Sequence, residues 1–271
     1  MVRWLPTFRP SSPAPQDAPV SAALRIESFA ITHEGRVRSR NEDGHAACDG
    51  EGLWAVADGM GGHEGGEWAS GRIVEALKAA AKAGDALEPV RDAAIEAVRA
   101  ANREILAEAR LRGKQMGSTV VALIVRGAHY AVLWVGDSRA YLLRGGALTQ
   151  LSRDHSQVQE MVARGMMTPE QAIGHPMGHI LSRAVGVQDQ VEVDVATGEV
   201  QPGDIFLLCS DGLHGVLGDA EIASGLSREA PDRALQTLVA QTLDKGAPDN
   251  VTAIAVWASE PTLLSFADPT S

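Results

Sequence analysis

Three apolar runs in this chain end at an aspartate that has a glycine beside it. LWAVA leads into Asp58-Gly59, AVLWV into Gly136-Asp137, and IFLLCS into Asp211-Gly212. A fourth aspartate comes before its run, in Asp249-Asn250-VTAIAVW. In an antiparallel sheet the end of one strand lies beside the start of its neighbour, so Asp249 can share an edge with the other three. Counting adds a fifth acid. If residues 49–52, DGEG, form a hairpin loop, Cys48 faces Leu53, and stepping outward pair by pair sets Asp43 opposite Asp58. Directly paired positions hold their Cβ atoms roughly 4.5–5.5 Å apart. Two ionised carboxylates that close repel unless a cation sits between them. An all-oxygen set suits a hard divalent cation, Mg2+ or Mn2+, rather than zinc. One Asp-Gly pair alone is ordinary turn chemistry. The repetition at equivalent strand termini is what points to metal.

Competing chemistries fit less well. The glycine run of residues 59–67, GMGGHEGGE, has Glu64 where a dinucleotide loop needs its third glycine, and it has no P-loop lysine. GDSRA, residues 136–140, nearly matches the nucleophile elbow of serine hydrolases. That elbow needs a following helix, whereas YLLRGGAL reads as strand and hairpin, so Ser138 is expected to support the site rather than attack. HEGGE lacks the second histidine of a zinc protease, and its two glycines are expected to spoil the helix that motif requires. No calcium loop of the D-x-[DN]-x-[DN]-G type is present.

The elements that must position these acids alternate without a repeat. β-rich apolar runs fall at residues 26–32, 53–57, 119–125, 131–135, 205–209 and 251–257. Helical spacing covers residues 67–82 and 90–112, and a further helix follows Pro231, with Lys245-Gly246 as its stop. Short connections, RGAH and RGGA, imply mainly antiparallel strands. Strands and helices therefore form separate layers, an α+β sandwich rather than a parallel Rossmann sheet. Residues 153–186 are polar, rich in Gly, Met and His, and contain MTPEQA, a helix start with Pro169 at the first position. This stretch reads as an inserted flap, where His175 and His179 are candidates for substrate contact.

The chain has 271 residues, 45% hydrophobic and 22% charged, enough for one large domain or two small ones. With aromatics at 4%, the core rests on Ala, Val, Leu and Ile. A formal net charge of -11 argues against a nucleic-acid partner. It hints instead at basic residues around the target of the site. Cys48 and Cys209 lack metal or disulfide spacing and read as small core residues. No apolar run approaches the roughly 18 residues of a membrane span. Residues 1–22 read as a flexible Pro/Ser-rich leader and 260–271 as a tail, with a reducing cytoplasm as the simplest address.

Seven fragments, in order, resemble the metal-dependent type 2C serine/threonine protein phosphatases. They are GRVRSRNEDGH (35–45), VADGMGGH (56–63), GST (117–119), VGDSRAYLLR (135–144), LSRAVG (181–186), CSDGL (209–213) and DNVTAI (249–254). The resemblance implies one phosphatase domain over residues 23–259. Its fold would be a four-layer αββα sandwich, two central antiparallel sheets flanked by helices. It further implies two Mn2+ or Mg2+ ions, with Asp58 bridging them and Gly59 offering a carbonyl. Asp211 and Asp249 would bind one ion, and Asp43 would act directly or through water. Asp137, with Asp211, resembles a third, weaker metal site. Arg38 matches the arginine that grips the substrate phosphate, a task for its planar fork. The implied reaction is attack on phosphoserine or phosphothreonine by a metal-bridging hydroxide, without a phosphoenzyme. The implied substrates are phosphoproteins made by a bacterial-type serine/threonine kinase. Animal members carry a histidine after the Asp-Gly pair as proton donor; here Met60 stands there, and His63 is the nearest substitute. Glu42 reads as support for the ligands, and Glu64 and Glu67 as parts of the following helix. A non-catalytic relative would have shed ligands or Arg38, and this chain keeps them all.

Overall fold

A computed structural model of the chain describes residues 24–62, 64–172 and 174–260. The leader 1–22, His63 and nearly all of the tail therefore lie outside the described residues. The strands are β1 (Arg25–His33), β2 (Asp43–Cys48), β3 (Leu53–Met60), β4 (Gly117–Ser118), β5 (Val120–Arg126) and β6 (His129–Val135). They continue as β7 (Arg139–Arg144), β8 (Ala147–Gln150), β9 (Asp194–Glu199), β10 (Ile205–Cys209) and β11 (Val251–Ser259). The helices are α1 (Glu64–Ala80), α2 (Leu87–Arg112), α3 (Gln157–Ala163) and α4 (Pro169–Ala172). After these come α5 (Asp211–His214), α6 (Asp219–Arg228) and α7 (Pro231–Asp244).

Every pairing is antiparallel. One sheet runs β1-β11-β10-β7-β8 and the other β2-β3-β5-β6-β9, with β4 paired to the end of β3. Alternation along the strands builds three cores from these two sheets. Leu53, Ala55 and Ala57 of β3 face α1 and α2, where they meet Ile73, Leu77 and Ile105. The intervening Trp54 and Val56 face the other sheet and pack with Leu142, Phe206 and Ile254. Beyond it, Leu207, Ala253 and Ala255 pack against Leu226, Leu235 and Leu238 of α6 and α7. Helix, sheet, sheet, helix is the four-layer order expected from the sequence.

The turns follow from glycine. RGGA closes β7 onto β8 with Gly145 and Gly146 at φ of 56° and 83°, the double positive-φ turn that matches strand twist. One expectation fails. Gly65 and Gly66 do not break the helix after His63; both sit buried in the first turn of α1. A Cβ on Gly66 would strike the Glu42 carboxylate and the Gly59 backbone, so small size at that position lets the helix approach the strand end. Cys209 is buried as expected, while Cys48 is half-buried at the edge of the helix-facing core, and both thiols are free.

Candidate metal centre

The hairpin between β2 and β3 keeps the counted register. Cys48 pairs with Leu53, and Asp43 pairs with Asp58. The other acids reach the same rim from both sheets. Asp211 follows β10, Asp249 precedes β11, and the two strands pair antiparallel through Cys209 and Ala253. Asp137 follows β6, whose Val135 pairs with Val120 beside the end of β3. Asp58, Gly59, Asp137, Asp211 and Asp249 line one open cleft of about 1110 Å3, together with Arg38. Asp43 lies behind them, its Oδ2 accepting a 2.8 Å hydrogen bond from the Ser210 hydroxyl.

Small polar side chains lock these acids in place. The backbone N–H of Asp58 donates to Thr119 Oγ1 at 3.0 Å, and its carbonyl accepts from Ser118 Oγ at 2.9 Å. Asn250 donates to the carbonyls of Glu34 and Arg40 at 3.0 and 2.8 Å and accepts the Glu42 N–H at 2.9 Å. It thereby ties the loop carrying Arg38 to the start of β11. Arg38 Nη2 donates to Asp249 Oδ2 at 2.8 Å. The Asn41 side chain accepts the N–H of Asp43 at 3.1 Å.

The electrostatics of this rim are unfavourable for bare acids. Burial pushes the Asp43 carboxyl up to about 7 against hydrogen bonds from Thr252 and Ser210 that pull it down. Burial also raises Asp58 well above the usual carboxylate range, and Asp43, Asp211 and Asp137 add repulsion. Asp211 is raised by burial and then by Asp249. Asp137 rises to about 8, again through burial first and Asp211 second. Two carboxylate oxygens, Asp43 Oδ1 and Asp211 Oδ1, are buried without any hydrogen-bond partner among the described residues. Orphaned buried acceptors are costly, and a cation is the partner that would satisfy two at once. Among the described residues no three acidic, His or Cys side chains are already drawn around one point as ligands. The orphaned oxygens argue for a cation nonetheless, because backbone carbonyl and water oxygens complete hard-cation sets. The donor set is oxygen throughout and suits Mg2+ or Mn2+.

The sequence profile described as Protein phosphatase 2C matches residues 32–253. The chain belongs to that family. It is 39% identical over 236 residues to the serine/threonine protein phosphatase PstP of Mycobacterium tuberculosis, covering 85% of this chain and 45% of that protein. The chain thus spans about half the length of this curated relative. A solved structure of PppA, a key regulatory component of T6SS in Pseudomonas aeruginosa, is 42% identical and superposes with a TM-score of 0.81. That match covers 88% of this chain and 100% of PppA. The catalytic domain of PstP in complex with two manganese ions is 35% identical, with a TM-score of 0.77, over 87% of this chain and 99% of that one.

Within this phosphatase 2C chain the decoys resolve. Ser138 is buried with its hydroxyl 2.6 Å from Thr119 Oγ1, so it buttresses the residue that holds Asp58. Of the two flap histidines, His179 is exposed and lines the cleft, whereas His175 accepts the Met177 N–H at 3.2 Å outside it. His214 is half-buried and held neutral, its pKa lowered to about 3 by desolvation and then by Arg139, and its Nε2–H donates to the Asp137 carbonyl at 3.0 Å. His155 accepts the Gly136 N–H through Nδ1 at 3.1 Å and fixes the turn before Asp137. Sequence reasoning assigned no role to Asn250, Ser210 or Thr119, although each stands inside or beside a quoted fragment. Of the other cations lining the cleft, Arg110 and Lys114 come from a segment without a motif, while Arg40 and Arg183 stand inside quoted fragments without a role read for them.

Proposed function

We propose that this chain is a metal-dependent serine/threonine protein phosphatase that hydrolyses phosphoserine and phosphothreonine in proteins. The observation that carries the reading is the meeting of Asp43, Asp58, Asp211 and Asp249 at the ends of paired strands, with two of their oxygens buried and unmatched. Asp43, Asp58, Asp211, Asp249 and the Gly59 carbonyl would hold two Mn2+ or Mg2+ ions, and Asp137 with Asp211 a third more weakly. The manganese-bound PstP catalytic domain supports that assignment. Ions so held make bound water acidic and offset charge on a transferring phosphoryl group.

The chain's own residues do the rest. Arg38, at the cleft's edge, presents two parallel N–H donors to the phosphoryl oxygens. Thr119 and Ser118 hold Asp58, and Asn250 holds the arginine loop, so the acids and the guanidinium keep one geometry. Met60 has no proton to give the departing alkoxide, which leaves water in the cleft or the cleft-lining His179 to supply it. The resemblance and relatives further favour a single domain over residues 23–259, with a flap over about 153–186 that carries α3, α4 and His179. On the family resemblance alone, the substrates are phosphoproteins made by a serine/threonine kinase and the setting is signalling in the cytoplasm. No described helix is long and apolar enough to cross a membrane.

The test is hydrolysis of a small phosphoester and a phosphothreonine peptide with Mn2+. Activity should vanish with chelator and return with metal, and Asp58→Ala should abolish it while the protein stays folded. Indifference to chelation, with inactivation by a serine-directed reagent, would refute the reading in favour of the Ser138 elbow.

A further inference from the structure

As a set the acids of the cleft are more buried than its cations, four of which are exposed. Its five carboxylates, Glu42 and the aspartates 58, 137, 211 and 249, belong to the strand ends and the residues beside them. Its cations stand on the walls and come from three different segments. Arg38 and Arg40 lie on the exposed loop before β2, Arg110 and Lys114 at the C-terminal end of α2, and Arg183 beyond the flap helices. Three of them have local partners: Arg38 with Asp249, Arg110 with Asp189, and Arg183 with Asp194. Arg40 and Lys114 are exposed and have no ion pair among the described residues. The volume, about 1110 Å3, exceeds the roughly 300–1,000 Å3 of a typical small-ligand pocket, so it admits more than one phosphoryl group.

We propose that the two unpaired wall cations, Arg40 and Lys114, select phosphoproteins whose phosphorylated residue is flanked by further anions, either acidic side chains or a second phosphoryl group. This rests on the phosphatase reading and specifies its substrate class. It reverses the expectation drawn from the net charge of -11, because the acid that dominates the total does not line the walls. Ions on the floor would offset the floor's own carboxylates and leave the wall cations as the field a peptide meets. Residues flanking a phosphosite lie about 3.3–3.6 Å apart along an extended chain, so neighbours on either side reach walls that a lone phosphoryl group does not.

The experiment uses the full chain with saturating Mn2+ and four phosphothreonine peptides alike except for their flanks: glutamate, a second phosphothreonine, alanine or lysine. p-Nitrophenyl phosphate, which has no flanks, serves as control. An exposed ion pair changes kcat/KM by up to about fivefold, so two cations should favour the glutamate over the alanine peptide by roughly 5–20-fold. The lysine peptide should be the poorest, and the preference should shrink as salt rises. Comparing the glutamate and doubly phosphorylated peptides identifies which anion the walls read better. In Arg40→Gln/Lys114→Gln the preference should collapse to within about twofold, while p-nitrophenyl phosphate turnover stays unchanged. Lys114→Glu alone should lower the glutamate-to-lysine ratio further than Lys114→Gln. A wild-type enzyme that treats the alanine and glutamate peptides alike, or a preference that survives in the double variant, overturns the proposal. Failure to hydrolyse p-nitrophenyl phosphate at all would instead overturn the phosphatase reading beneath it.

Discussion

Replacing Asp137 with asparagine keeps the side chain's shape and removes its charge. In the folded protein, burial and Asp211 raise this carboxyl from its ordinary 3.8 to about 8. Between those two values the unfolded chain has released a proton that the folded chain still holds, so stability falls as pH rises through that window. At about 1.4 kcal/mol per pH unit, the gap sets a ceiling of roughly 5–6 kcal/mol. An effective dielectric nearer 20 than 4 brings the expected cost to about 1–3 kcal/mol. Asp137→Asn removes that cost. In chelator at about pH 7.5 the variant should therefore melt higher than wild type, by roughly 2–4 °C for each kcal/mol in a domain of this size. The gain should shrink as pH drops toward 4, where the wild-type carboxyl becomes protonated in both states. Saturating Mn2+ should cancel or invert it, since a cation favours the carboxylate over the amide. Circular dichroism melts across pH, with and without metal, read all three effects. An asparagine variant less stable than wild type in chelator at neutral pH, or a gain unchanged at low pH, would refute the reasoning.

Substitutions at three further residues probe the surroundings of the acids. Arg38→Ala should lower kcat/KM on a phosphopeptide about 10–100-fold, the worth of charge-assisted bonds to phosphate. Arg38→Lys should restore only part, because an ammonium is a point charge and not a fork; initial rates at saturating Mn2+ decide. Asn250→Ala removes hydrogen bonds to Glu34, Arg40 and Glu42 and should destabilise the fold by about 1–3 kcal/mol in urea titration, with a parallel fall in activity. Ser138→Ala should stay within a few-fold of wild-type rate, whereas a loss as large as that of Asp58→Ala would restore the hydrolase reading.

Much of the frame was legible because its signals are local. The 49–52 turn fixed the register that pairs Asp43 with Asp58, since a two-residue period leaves no freedom once the loop is set. The run at 205–209 coincides with β10, and Pro231 opens α7 as its fixed φ requires. What escaped was structure whose reason lies elsewhere in the chain. β9, DVATGE, alternates half-buried and exposed residues and becomes a strand by pairing with β6. α6, with Gly218 as its N-cap and Gly225 inside it, carries only Ile222 and Leu226 as fully buried anchors. The glycines after His63 read as helix breakers because the gain they provide, close approach of α1 to Gly59 and Glu42, is a tertiary contact. Of the site, the acids were readable as types that repeat at strand ends. Asn250, Ser210 and Thr119 were not, because an amide or hydroxyl has no chemistry until its neighbours are known.

The difference in burial between the cleft's acids and its cations has a consequence for how such an enzyme can diversify. The ions' prospective seats are anchored by two sheets and three interlocking cores, so a change there disturbs packing throughout the molecule. The wall residues Arg40 and Lys114 sit on solvent-facing stretches that bear little of that packing. Mutation can thus retarget the catalyst to new proteins without rebuilding its reaction, and paralogues should differ first at the lip of the cleft and last at its base.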